Sequence, residues 1–372
     1  MSELGGVASG LFGPYSIGSM TVRNRFVMAP MTREFSQCGV VSDAAPEYYA
    51  RRVRGGVGLV VTEGIVVDHP AAAASSRVPQ LHDEHTRSAW GDVVDAVHAA
   101  GGAIIAQLWH VGLDRAARAA PHPDAPSLGP GTWFGETRHD RRAMTAADID
   151  DVIDSFARAA QAAEQVGFDG VELHGGHGYL LDQFLWEKTN TRTDAYGGDP
   201  CNRSRFPAEV VSEIRHRVSR EYPIVFRLSQ WKSIDLGARP YPTPAVLDAA
   251  LGPLVDAGVD GFHASTRRFW TPEFEGSDLG LAGWIKKLTD APTITVGSVG
   301  LDGADFVDAI VSGAGAQPDS LTRVSRMFER GHFDLVAIGR ALISDSDLVE
   351  KLRGAHDAPR IPFDARDLLT LT

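Results

Sequence analysis

The feature that most restricts this chain is a repeat. Short runs rich in Val, Ile and Phe recur along it, each followed by an amphipathic stretch that starts near Ser, Thr, Asp or Pro and stops at Gly. Such alternation predicts parallel strands joined by helices. Strands are expected near 25–31, 58–66, 103–109, 169–174, 223–229, 260–265, 293–297 and 334–339. Helices are expected over 43–54, 85–100, 145–166, 202–220, 243–257, 279–288, 303–312 with a continuation at 321–330, and 346–353. Eight units predict closure, so the expected fold class is α/β, a single (β/α)8 TIM barrel over 1–372, with an open doubly wound sheet as the alternative. Gly101, Gly167 and Gly258 fall where helices turn into strands, the usual place of a left-handed C-cap. No G-x-G-x-x-G opens a helix after a strand, which argues against a Rossmann domain.

Two segments exceed ordinary connections: 111–144 after the third strand and 267–280 after the sixth. Barrels carry their active-site loops at the C-terminal ends of the strands, so 111–144 is expected to be an inserted, lid-like loop. The 36 basic and 48 acidic residues leave a net charge of −12, a poor match for a phosphate backbone, so no nucleic-acid partner is expected. No run of about 18 apolar residues occurs and residues 1–10 lack the pattern of a signal peptide, so no membrane span or export is expected. Cys38 and Cys201 make neither a disulfide framework nor a zinc spacing, which points to a reducing, cytoplasmic setting.

Polar residues gather at the predicted strand ends: Thr32, Glu63 with Gly64, Gln107 and His110, His174 and His177, Arg227, and Arg340. Any one of them alone is better explained by a bond to loop backbone. Their pooling on one rim points to a site. Gly297, Ser298, Val299 and Gly300 after the seventh strand, with Gly339 and Arg340 at the eighth, match a barrel's habitual phosphate site. His174 and His177 lack a third ligand at matching spacing, so no metal is expected. Two neutral imidazoles can instead donate to one carbonyl oxygen, and Tyr179 can then supply a proton.

Six strings carry most of these residues, in order: Asn24 to Arg33 (NRFVMAPMTR), 107–110 (QLWH), 174–198 (HGGHGYLLDQFLWEKTNTRTDAYGG), 202–206 (NRSRF), 226–229 (FRLS) and 338–344 (IGRALIS). Together they resemble the old yellow enzyme family of NAD(P)H:flavin oxidoreductases over nearly the whole chain. The resemblance implies one barrel domain holding flavin mononucleotide (FMN) without covalent attachment, and NADH or NADPH as hydride donor. It implies that Ala29, Pro30, Met31 and Thr32 lie beside the flavin ring, that Gly64 gives close backbone passage, and that Gln107 meets the pyrimidine edge. Arg227 is implied near flavin N1 and O2, and Gly339 and Arg340 at the phosphate with the strand-seven loop.

By the same resemblance His174 and His177 bind the substrate carbonyl, Tyr179 is the proton donor, and Trp109 belongs to the substrate site. The implied substrate is an activated alkene: an unsaturated ketone, aldehyde, imide or nitro compound. An FMN barrel that dehydrogenates or demethylates an N-methylated amine is the rival enzyme. Phe269 and Trp270, in a less familiar string, are expected to shape the substrate side of a lid, with aromatics covering a helix end as the alternative. Two cysteines cannot ligate a four-iron cluster, which sets aside the iron–sulfur relatives. Family members differ in oligomeric state, so a homo-oligomer is compatible with the resemblance.

Overall fold

The computed structural model describes residues 7–302, 313–354 and 358–372. Eight parallel strands close into a barrel in chain order: β1 Phe26–Met28, β2 Leu59–Val66, β3 Ala103–Trp109, β4 Val171–His177, β5 Ile224–Lys232, β6 Gly261–Ser265, β7 Thr293–Val296 and β8 Leu335–Ile338. β8 pairs back onto β1 through Ile338 and Met28, so the open-sheet alternative falls. Around them lie α1 Ala45–Arg54, α2 Glu84–Ala99, α3 Ala146–Val166, α4 Leu180–Leu185, α5 Arg205–Arg217, α6 Pro244–Asp256, α7 Leu281–Thr289, α8 Thr322–Glu329, α9 Arg340–Ser344 and α10 Leu348–Arg353. The helix expected over 303–312 lies outside the described residues. No helix among the described residues is long and apolar enough to cross a membrane.

Strand alternation divides the core in two. Val27, Leu59, Val61, Ile105, Val225, Ile294, Leu335 and Ala337 form one apolar cluster, and their strand neighbours Phe26, Val60, Ile104, Phe226 and Val336 join the larger cluster shared with the helices. α3 shows why a helix starts where it does. Thr145 accepts the amide of Asp148 and Asp148 accepts that of Thr145, a reciprocal cap worth about 1 kcal/mol. Ile149, Val152, Phe156, Ala160 and Ala163 then share the buried face, and Gly167 ends the helix at φ 104°.

Three differences from the sequence pattern concern the C-terminal rim. β4 and β5 run on to His177 and Lys232, which pair beyond a shift in register. The expected 202–220 helix is broken at Ser204, whose hydroxyl bonds the Pro200 and Ala250 carbonyls. Short α4 and α9 follow β4 and β8 directly. The 111–144 segment is ordered by two small pairings, Ser127–Gly129 with Arg141–Ala143 and Trp133–Phe134 with Glu136–Thr137. Buried Arg115 ties it down by donating to the Ala73 and Ala125 carbonyls, both at 2.8 Å. Its Phe134 ring packs on Gly178, where a Cβ would come within 3.1 Å.

Candidate functional site

The C-terminal strand ends surround a cavity of about 370 Å³. Ala29, Pro30, Met31 and Thr32 line it after β1, Gln107 and Trp109 from β3, His174 and His177 from β4 with Tyr179 just beyond, and Arg227 from β5. Gly297, Ser298 and Val299 line it after β7, Gly339 and Arg340 after β8. Several expected residues lie elsewhere. Gly64 backs onto Trp109, and a Cβ there would meet the indole at 2.7 Å, so it makes room for that ring and does not line the cavity. Gly300 has φ 74° and faces Leu348 and Ala341, which makes it a turn residue. The Phe269 ring is buried in the strand–helix core, and Trp270 packs edge-on against it under the Arg323 guanidinium. His110, read as a rim residue, is turned away to His69 at 3.1 Å and accepts the Gly112 amide.

A charged layer underlies the cavity because the register sets Glu172 beside Gln107 and Arg227 beside both His174 and His263. Gln107 Nε2 donates to Glu172 Oε1 at 2.7 Å, and His263 Nδ1 lies 2.6 Å from Glu172 Oε2. Burial alone would raise the Glu172 pKa, but His263, Arg227 and the Gln107 amide outweigh it and hold the group below its ordinary value. An ionised carboxylate accepts only, so it fixes the Gln107 amide with its oxygen left for another partner. Arg227 Nε, His174 Nδ1 and Trp109 Nε1 are buried with no partner among the described residues. Such orphans on a cavity wall mark where a polar ligand edge belongs.

His174, His177 and Tyr179 form one cluster. The two imidazoles stand 5.0 Å apart at 87°, and the Tyr179 ring is 4.9 Å from His174 and from Trp109. Burial first, then the Arg227 charge, drives both histidines well below their ordinary pKa, so they are neutral. Burial, and next the Asp114 carboxylate, raises Tyr179, so its phenol keeps its proton. His177 sits at φ 63°, with its amide bonded to Ser229 Oγ at 2.8 Å and its ring stacked on Trp231 at 4.2 Å. The next residue, Gly178 at φ 89°, donates its amide to Asp182 Oδ2 at 2.7 Å. Lys232 Nζ bonds Asp182 Oδ1 at 2.7 Å and the Ser229 carbonyl at 2.8 Å, and both charged side chains are fully buried. That ion pair locks the turn carrying His177 and Tyr179.

Glu63 lies behind the wall. Its Oε2 accepts the Arg33 amide at 3.0 Å, next to Thr32, and burial pushes its pKa up to about 7. Residues the sequence did not single out also line the cavity, notably Trp231, Ser265, Thr266, Arg267 and Leu368. Ser265 closes β6, where a serine carries the same signal as an ordinary turn residue. Leu368 had no signal: it is brought in by Arg33, which donates to the Leu368 and Thr370 carbonyls at 3.3 and 2.6 Å.

The wall is thus apolar at Ala29, Pro30, Met31, Val296, Leu301 and Ile343, polar at Gln107 and Arg227, and cationic again at Arg340. This set fits a planar ring with one hydrogen-bonding edge and an anionic tail. Fold and site together define a (β/α)8 barrel with a rim cavity whose lining suits such a ligand. The chain matches the NADH:flavin oxidoreductase / NADH oxidase family over residues 10–357, and it belongs to that family, as its old yellow enzyme motifs indicated. It is 33% identical to the NADH oxidase of Thermoanaerobacter brockii across 92% of this chain but only 50% of that protein, so it spans half the length of that relative. It is 34% identical to 12-oxophytodienoate reductase 7 of Oryza sativa subsp. japonica across 92% of this chain and 87% of the relative. Morphinone reductase, solved in complex with tetrahydroNAD, is 27% identical with a TM-score of 0.79, covering 96% of this chain and 94% of that one.

Proposed function

We propose that the cavity holds FMN and that the chain uses NADH or NADPH to reduce the carbon–carbon double bond of an α,β-unsaturated carbonyl or nitro compound. FMN, when bound, supplies two-electron hydride chemistry between a nicotinamide and an alkene. Ala29, Pro30 and Met31 would give the ring an apolar bed, while Thr32, the Gln107 oxygen and Arg227 would meet its polar edge. A cation at Arg227 favours negative charge on that edge. Gly339 and Arg340, with the Gly297 to Val299 loop, would grip the phosphate.

The same wall then offers three neutral donors to the substrate. N–H groups of His174 and His177 take up negative charge as it builds on the substrate oxygen. Tyr179, protonated at neutral pH, delivers its proton to the carbon next to that carbonyl, a contribution typically worth about 10²–10⁴ in rate. Trp109, edge-on to Tyr179 at 4.9 Å, holds the phenol in place. The observation that carries this reading is the cluster itself: two neutral imidazoles and a protonated phenol on one cavity wall, beside the unpartnered Arg227 Nε. The relatives add support, since the names 12-oxophytodienoate reductase and morphinone reductase each give a carbonyl compound as substrate.

Stopped-flow kinetics of Tyr179→Phe test the assignment. Flavin reduction by NAD(P)H should persist while alkene reduction slows by about 10² or more. Equal loss in both half-reactions would remove Tyr179 from the proton-donor role.

A further inference from the structure

We propose that Ser265 is a positioning residue that fixes the tautomer of His177, so that Nδ1–H is the donor presented to the substrate oxygen. The inference rests on the reading of His177 as an oxygen ligand given above, but its structural half stands alone.

Two hydrogen bonds meet at Ser265 Oγ. Arg227 Nη2 lies 3.3 Å away and His177 Nε2 lies 2.7 Å away. A guanidinium has donors and no acceptor, so the Arg227 bond makes Ser265 Oγ the acceptor there. The hydroxyl still has one proton to place. Ser265 is buried at the end of β6, and among the described residues its side chain has no other partner. The lone pair of a neutral imidazole at Nε2 supplies the acceptor. In the opposite tautomer two N–H groups would converge on one oxygen, and the hydroxyl proton would have no protein acceptor among the described residues, a loss that favours the first arrangement. A neutral ring has a single N–H, so with Nε2 accepting, the proton resides on Nδ1.

The ring is also held against turning over. Trp231 stacks on its face at 4.2 Å and 22°, while Ser229 Oγ fixes the His177 amide at 2.8 Å with the backbone at φ 63°. Nδ1 makes no bond within the described residues, and the side chain lines the cavity. Arg227, Ser265 and His177 therefore form a directed chain: the guanidinium donates to the hydroxyl, the hydroxyl donates to Nε2, and each bond polarises the next toward a stronger donor at Nδ1. His174 has no such partner, and its Nδ1 is unbonded. The two histidines are thus inequivalent, one with its tautomer set by the protein and one left to be set by what binds.

Nitrogen-15 spectra of the imidazoles in the protein as purified test this, with His177 identified by the signal lost in His177→Gln. In the wild type the Nδ1 resonance should be of the protonated type and Nε2 of the pyridine type. Ser265→Ala should mix the tautomers and weaken 4-nitrophenol binding about tenfold, equal to roughly 1.4 kcal/mol. Ser265→Thr, which keeps the hydroxyl, should restore both. A wild-type His177 protonated at Nε2 overturns the proposal, as does a Ser265→Ala protein whose tautomer and affinity both match the wild type. If Ser265→Ala fails to fold, the wild-type and Ser265→Thr spectra decide it. Should 4-nitrophenol affinity ignore His177→Gln, the oxygen-ligand reading fails, while the nitrogen shifts still judge the tautomer.

Discussion

Replacing Lys232 by Met asks how firmly the turn bearing His177 and Tyr179 is held. Methionine retains much of the lysine stem but removes the ammonium, leaving the buried Asp182 carboxylate, among the described residues, with the Gly178 amide as its one remaining donor. Kept ionised, an uncompensated buried charge costs about 3–5 kcal/mol. Kept protonated, it costs about 1.36 kcal/mol for each unit by which the solution pH exceeds the ordinary carboxyl value of 3.8. That is about 4 kcal/mol at pH 7 and about 1.5 kcal/mol at pH 5. The cheaper route governs, so the deficit against the wild type should be near 4 kcal/mol at pH 7 and shrink on acidification. The sign follows from linkage: the folded variant retains a proton that the unfolded chain releases, so its stability declines as pH rises above 3.8. For a chain of 372 residues the loss at pH 7 corresponds to roughly 5 °C in Tm. Urea unfolding at pH 5 and pH 7 measures it. Lys232→Met combined with Asp182→Asn, which keeps an acceptor for Gly178, should recover most of the stability. A deficit below about 1 kcal/mol at pH 7, or one that does not change with pH, would refute the electrostatic account of the turn.

Glu63→Gln should remove a pH dependence. With its folded pKa raised to about 7 against 4.5, the wild-type group loses up to about 3 kcal/mol of stability as pH rises through that window, and the difference between wild type and variant should grow accordingly in urea melts. Gly297→Ala places a Cβ 2.4 Å from the Thr266 carbonyl oxygen at φ 146°, so flavin content after dialysis should fall at least about tenfold. Gly252→Ala, in open space on α6, should leave flavin content unchanged. Joint replacement of His174 and His177 by Ala should weaken 4-nitrophenol by more than about tenfold while FMN remains bound, and undiminished affinity in an optical titration would contradict the oxygen-site reading.

The barrel was legible because every strand repeats one physical demand, an apolar run between two turns. The rim was legible because Gln107, His174 and Arg227 interrupt such runs with polar groups at their ends. Ser265 escaped notice because a serine closing a strand looks like any turn residue until Arg227 and His177 are found on either side of it. Trp231 escaped because β5 extends past the point where its pattern fades, carried by pairing of Lys232 with His177. Phe269 and Trp270 show the reverse: aromatic residues in a rim loop give the same sequence signal whether they face the cavity or the core. Gly64 and Gly300 differ from Gly297 in backbone angle and in what a Cβ would strike, tertiary facts that composition does not carry.

The claim on which the account depends is that this cavity takes a ring with a phosphate tail, and a fluorescence titration of the flavin-stripped protein with FMN and with riboflavin tests it most directly. Saturable FMN binding is predicted, with riboflavin weaker by about 10–100-fold, the equivalent of one charge-assisted Arg340–phosphate contact. Failure to take up FMN, or equal affinity for both compounds, would contradict it.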